Sequence, residues 1–299
     1  MTEKVEHLSR RMRSSQGKRR RQPDKALKKS DADVNPINTE FKQGLIKTRF
    51  LPALVWSLIL SLFSVANPYL ISLASNLQTQ NLYAGFAMQS GQVPYGDFFA
   101  TDGVLFYLLT YLGSSFGTTL VFAVLQFIAL TIAGIHFDKI VGYFSKSREM
   151  TDQLTVWFYL FILALDFGGI YASLYALPFL LSSIWFLIRY FEESLRDEAF
   201  LLYGLDAAVV FLIAPKSVVL WIIATLVLFI YNMRRKRLAR GFYQFLTALF
   251  GFLLVLYSVG YYTFVKQILG DAINQTFIYN LSLDFTYSSI LWTILIVCG

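Results

Sequence analysis

Charge is scarce in this 299-residue sequence. Asp, Glu, Lys and Arg together make up 15% of it, against about 25% in a soluble domain, which argues against a water-soluble globule. Cysteine is nearly absent. The single Cys298 rules out a disulfide framework and a Cys-based metal site. The only histidines, His7 and His136, stand too far apart in sequence for metal-ligand spacing. No P-loop, Rossmann fingerprint, Ser-nucleophile motif or His metal helix occurs, which removes the commonest soluble-enzyme readings. Disorder of the whole chain is excluded in turn, because 56% of the residues are apolar.

The charge that exists is unevenly placed. Residues 1–49 hold 14 Lys and Arg against 6 Asp and Glu, whereas the other 250 residues are almost neutral. The basic stretch has few large apolar residues and no sustained period, so it reads as a disordered tail. Its run at 18–21 is attractive to nucleic acid or anionic lipid. No base-reading fold accompanies it, so nucleic acid is not an expected partner. The charged region is too long for a signal peptide, and no small-residue cleavage site follows the first apolar run.

The body, 50–299, is a succession of apolar runs near the ~20 residues that a helix needs to cross a bilayer. They fall at about 51–74, 118–141, 154–167, 171–191 and 242–265. A shorter pair at 199–214 and 217–231 flanks Pro215-Lys216, and a last run begins near 288. This pattern predicts an all-α, polytopic transmembrane bundle with seven spans and the start of an eighth. Ending inside an apolar run also raises the expectation of a truncated chain. Lys and Arg concentrate in the loops 142–153, 189–198 and 232–240. By the positive-inside rule these loops and the amino terminus are cytoplasmic, which makes the protein multi-pass in the cell membrane.

The expected outer side is almost without cations, so its few polar groups stand out. Loop 75–117 carries Gln78, Gln80 and Asn81, then Leu82, Tyr83, Phe86 and Ala87 at helical spacing. That spacing predicts an amphipathic helix lying on the membrane. Pro94-Tyr95-Gly96-Asp97 forms a turn, and Asp102-Gly103 forms a second turn or a helix cap. Two carboxylates five residues apart have the chemistry to orient an acceptor hydroxyl, take its proton or bind a divalent metal. Alternatively, both acids only cap turns. Lys216 is a lone cation suited to a phosphate, or else a lysine snorkelling from a helix end. Asp206 is the one carboxylate in the middle of an apolar run.

The stretch Gly91-Gln-Val-Pro-Tyr-Gly-Asp-Phe-Phe-Ala-Thr-Asp-Gly-Val-Leu-Phe-Tyr-Leu-Leu resembles the first outer loop of GT-C polytopic glycosyltransferases. The segments 202–216 and 274–280 are similar to that superfamily's Lys-bearing hairpin and aromatic outer loop. The resemblance implies a GT-C-like fold and a polyprenyl-phosphate-linked sugar as donor. Its acceptor would be an envelope polysaccharide, glycolipid or protein. It further implies Asp97, with Asp102, as catalytic acids, and Lys216, Gln80 and Tyr95 as substrate contacts. The sequence departs from the superfamily just after the first apolar run. Where an acid is usual, it has Gln78, Gln80 or Asn81, none of which can act as a general base. A non-catalytic membrane partner or transporter-like module of an envelope-assembly complex is therefore the competing expectation.

Overall fold

The computed structural model describes residues 47–165 and 168–279. The expectations for the basic tail up to 46, for the last two residues of the 154–167 run and for the final apolar run from 288 lie outside the described residues. Within them the chain is helical throughout, apart from one isolated bridge between Pro94 and Phe98. The helices are α1 (Phe50–Leu62), α2 (Asn76–Gln89), α3 (Val104–Gly113), α4 (Leu120–Ser145) and α5 (Arg148–Ala164). They continue as α6 (Ala172–Phe191), α7 (Phe200–Ile213), α8 (Val219–Arg234), α9 (Leu238–Val265) and α10 (Leu269–Ile273), followed by a π-helical turn, Asn274–Ile278.

Four helical segments are long and apolar enough to cross a bilayer: α4, α6, α9 and the run Pro215–Arg234 that contains α8. The chain is therefore a membrane protein. The described residues give four such helices where the apolar runs predicted seven spans, and the reasons are local. At 13 residues, α1 is about 20 Å long and falls short of the ~30 Å hydrocarbon core. It stops because Ser64 Oγ donates to the Ser61 carbonyl (3.1 Å) and Asn67 Nδ2 donates to the Leu62 carbonyl (2.7 Å). Pro68, which has no N–H, then opens a short 3₁₀ turn. The first turns of α5 carry Arg148, Glu149 and Asp152, and α7 ends at Pro215 after 14 residues.

Helix α2 corrects a second expectation. It does not present one apolar stripe to a membrane surface. Leu82 and Ala87 are buried, Tyr83 and Phe86 are exposed, and the polar Gln78 and Asn81 face inward. Ser75 caps this helix, and the Gln78 side chain closes the capping box by accepting from the Ser75 N–H (2.8 Å).

Two contacts hold the middle of the bundle. Tyr159 of α5 is buried between α1 and α4, with its hydroxyl 3.0 Å from Ser57 Oγ and near the carbonyls of Ala53 and Leu130. Helices α7 and α9 cross closely at Gly204, where a Cβ would lie 1.9 Å from the Ala248 carbonyl oxygen. Only glycine permits that approach.

At the end that carries the Lys- and Arg-rich loops, polar side chains tie the helices together. Tyr190 donates toward Asn232 Oδ1 (2.9 Å) and Gln244 Oε1 (3.0 Å), and Gln244 Nε2 donates to Asp197 (2.6 Å). Arg240 binds Asp197, Arg235 binds Glu193, and Arg148 binds Asp138 (3.2 Å) and Asp152. Glu193 and Asp197 thus pair across to the 235–240 region, whereas Asp138 and Asp152 pair with Arg148.

Gly204→Val forces α7 and α9 apart against backbone atoms. It is expected to cost about 1–3 kcal/mol, at the upper end of that range. The midpoint of thermal unfolding in detergent checks this, with Gly260→Val as the comparison, since no atom lies within 4 Å of a Cβ there.

Candidate functional site

The loop joining α2 to α3 is built around Tyr95. Its φ of +68° lies in the left-handed region, which is uncommon for a residue with a Cβ. Three contacts hold it there. The hydroxyl donates to the Asp102 carbonyl (2.6 Å), the ring meets Tyr107 edge-on at 5.6 Å, and the backbone carbonyl accepts from Gln275 Nε2 (2.7 Å). The same Gln275 accepts from the Ala100 N–H through Oε1 (2.9 Å). One amide from the π-helical turn thus clamps both sides of the loop. The Tyr107 hydroxyl accepts from the N–H groups of Thr101 (3.1 Å) and Asp102 (3.3 Å).

The two acids of the loop differ in what they do. Asp97 is exposed and closes its own turn, with Oδ2 accepting from the Val93 N–H (2.7 Å). Asp102 is half-buried. The N-cap of α3 is Gly103 and makes no side-chain cap bond, so the Asp102 carboxylate is not committed to capping that helix. Burial pushes its carboxyl up from 3.8 to about 6, and the positive charge of Lys216 pulls it partly back.

The charge of Lys216 is felt at Asp102 because of the next residue, Gly103. Its N–H donates to the Ile213 carbonyl at the end of α7 (3.0 Å), and a Cβ here would lie 2.1 Å from the Leu212 carbonyl oxygen. The loop therefore sits directly on the turn that leads through Pro215 to Lys216. Below this junction lies an apolar groove of about 890 Å³, bounded by Gly103, Val104, Pro215, Leu253, Tyr257 and Thr276 among others. Ligand clefts commonly fall between about 300 and 1,000 Å³. Asp102 and Lys216 are the immediate sequence neighbours of Gly103 and Pro215, two residues on its wall.

The structure thus brings together Asp102, Lys216 and, through its hydroxyl, Tyr95. Tyr95 is buried, and its hydroxyl holds the Asp102 backbone. Gln80 stands on the exposed face of α2, and no contact joins it to Asp102 or Lys216 among the described residues. Nor do the described residues include a group of three or more His, Cys, Asp or Glu that could hold a metal ion. Asn81 Nδ2 donates to the Ile170 carbonyl (2.8 Å), so the polar residues after α1 mainly serve the fold. Asp206 accepts a hydrogen bond from Ser182 of α6.

Gln275, Tyr107 and the groove were not singled out by the sequence. Gln275 lies 175 residues from Ala100, and no local pattern announces a contact at that range.

The pH dependence of stability follows from Asp102. A carboxyl raised to about 6 binds its proton more tightly in the folded than in the unfolded chain. Its contribution therefore strengthens as the pH falls from above 6 toward 4 and weakens as the pH rises. Asp102→Asn is expected to unfold at a higher temperature than the parent at neutral pH, with the gap closing near pH 4. Lys216→Ala removes the opposing charge and is expected to lower stability at neutral pH. Thermal melts across this pH range check both signs.

Comparison with known proteins completes the site. A family model described as "Putative competence-induced protein Ccs4 N-terminal domain" matches residues 42–298. No curated protein and no solved structure matches the chain. The matched span contains α1 through the π-helical turn, with the clamped loop, the groove and Lys216, and the chain belongs to the Ccs4 N-terminal domain family.

Proposed function

We propose that this chain is a GT-C-like membrane glycosyltransferase that uses a sugar carried on a polyprenyl phosphate. The lipid tail lies in the groove beside α9, and the phosphate faces Lys216 at its mouth. The observation that supports this reading is a half-buried carboxylate and a cation, each next in sequence to a residue that lines a large apolar groove. In transfer, the acceptor hydroxyl oxygen bonds to the anomeric carbon, the bond from that carbon to the phosphate oxygen breaks, and the hydroxyl proton passes to the Asp102 carboxylate. A carboxyl near 6 is ionised at neutral pH, yet basic enough to accept a proton in the transition state. Lys216 offsets the charge that gathers on the departing phosphate. Asp97 is assigned to shaping the turn that presents Asp102.

The basic end of the bundle is placed in the cytoplasm, following the loop cations. The donor therefore arrives from the opposite leaflet and the acceptor from the envelope. The family description speaks of competence-induced proteins, and envelope work in that state is the setting proposed here. A second reading rests on a specific feature. The side chains after α1 that would replace the superfamily's acid, Gln78 and Asn81, are buried and engaged with backbone. Under that reading the chain binds a lipid phosphate without transferring a sugar, as a partner of envelope-assembly proteins.

In membranes supplied with a polyprenyl-phosphate sugar, Asp102→Asn is expected to lower the transfer rate by about 10²–10⁴. Lys216→Ala is expected to raise KM and lower the rate. Asp97→Asn, which keeps an acceptor for the Val93 N–H, is expected to retain most of the activity. Transfer unaffected by Asp102→Asn would overturn the catalytic reading. Binding of the lipid-linked sugar without transfer would favour the second.

A further inference from the structure

At the basic end of the bundle, five helix-end acids have a partner. Asp138 and Asp152 bind Arg148, Glu193 binds Arg235 and Asp197 binds Arg240. Glu192 accepts from the Tyr143 hydroxyl (2.5 Å). Besides exposed loop cations, two half-buried cations have no acid partner among the described residues. Lys139 of α4 and Arg189 of α6, which packs along α4, are each half-buried, and the Tyr143–Glu192 bond ties these two helix ends together. Neither forms an ion pair among the described residues. Arg189 Nη2 reaches only the Ser194 carbonyl, at 3.4 Å. Asp138, next in sequence to Lys139, is turned inward to Arg148. Two half-buried cations on neighbouring helix ends are stabilised by an anion that both can meet.

Their position on the helices indicates which anion. Helix α4 has 26 residues and is about 39 Å long, so about 20 residues fill the hydrocarbon core and the rest project. Lys139 is the twentieth residue of α4, and Arg189 is the third from the end of the 20-residue α6. Both fall where a bilayer changes from acyl chains to headgroups. Leading to them along α4 is an exposed apolar row at four-residue spacing: Val124 (52%), Ile128 (48%) and Ile132 (42%). Such a row lies on one helix face. It continues through His136, whose ring Nδ1 is 2.9 Å from the Ile132 carbonyl oxygen.

We propose that the ends of α4 and α6 form a binding site for an anionic phospholipid. Lys139 and Arg189 share its phosphate, and an acyl chain lies along Val124, Ile128 and Ile132. The site is separate from the Asp102–Lys216 groove and does not depend on what that groove holds. It gives the membrane a specific grip on the bundle, in the leaflet at the basic end, where diffuse attraction to loop cations alone would give none.

The test is titration of the purified full chain in neutral detergent with phosphatidylglycerol, read by native mass spectrometry and by thermal unfolding. Phosphatidylcholine and inorganic phosphate serve as comparisons. The expected result is saturable retention of phosphatidylglycerol by the parent, weakened about fivefold by Lys139→Gln or Arg189→Gln and about thirtyfold by both together. Lys139→Arg keeps binding, which separates charge from folding if the double variant is unstable. Lys236→Gln, which removes one loop cation, leaves binding within about twofold. Equal loss on Lys236→Gln, equal retention of phosphatidylcholine, or displacement of the lipid by inorganic phosphate would each overturn the proposal.

Discussion

The candidate site depends on the seat of Gly103 against the end of α7. Its N–H donates to the Ile213 carbonyl, and the absent side chain lets the two backbones touch. This one contact fixes where α3 begins, so it also fixes where Asp102 stands. It sets the loop beside the Pro215 turn and thereby brings Lys216 near enough for its charge to act on the acid. It also makes Gly103 part of the groove wall, which joins a charged pair to an apolar channel. Tyr95, Tyr107 and Gln275 act in support. They hold the loop rigid, so that the seat has one register rather than several.

The two ends of the bundle solve different problems. At the basic end, hydrogen bonds and ion pairs connect α6, α8 and α9 through Tyr190, Asn232, Gln244 and Asp197. In an apolar setting each such group needs a partner, because an unpaired polar atom is costly there. At the other end most hydrogen bonds serve to shape a loop, and one carboxylate is held partly out of water beside one cation. Each end thus also keeps charges outside ion pairs, Lys139 and Arg189 at the basic end and Asp102 and Lys216 at the other, among the described residues.

Much of the helix plan was legible in the sequence, because hydrophobic runs and loop cations are local signals. The expected 171–191 became α6 at Ala172–Phe191, and 118–141 became α4 at Leu120–Ser145. The Pro215-Lys216 hairpin turn also falls where the sequence placed it. Span counting failed where an apolar run hides a break. Ser64, Asn67 and Pro68 stop α1 through local hydrogen bonds and a missing N–H, which mean hydropathy does not register. The acids and Lys216 were visible as rare charges. Their unequal roles were not, since these depend on Val93 closing the Asp97 turn and on Gly103 meeting α7. The Gln275 clamp and the groove arise from contacts across the whole chain, for which one sequence holds no local signature.

The central claim is that the groove beside α9 holds a lipid whose phosphate lies at Lys216. A cryo-electron microscopy map of the protein extracted with its native lipids tests this most directly. The account predicts elongated density along Leu253 and Tyr257, ending in a compact headgroup feature between Lys216 and Asp102. A groove closed by its own side chains, with Lys216 directed into bulk solvent away from Asp102, would contradict it.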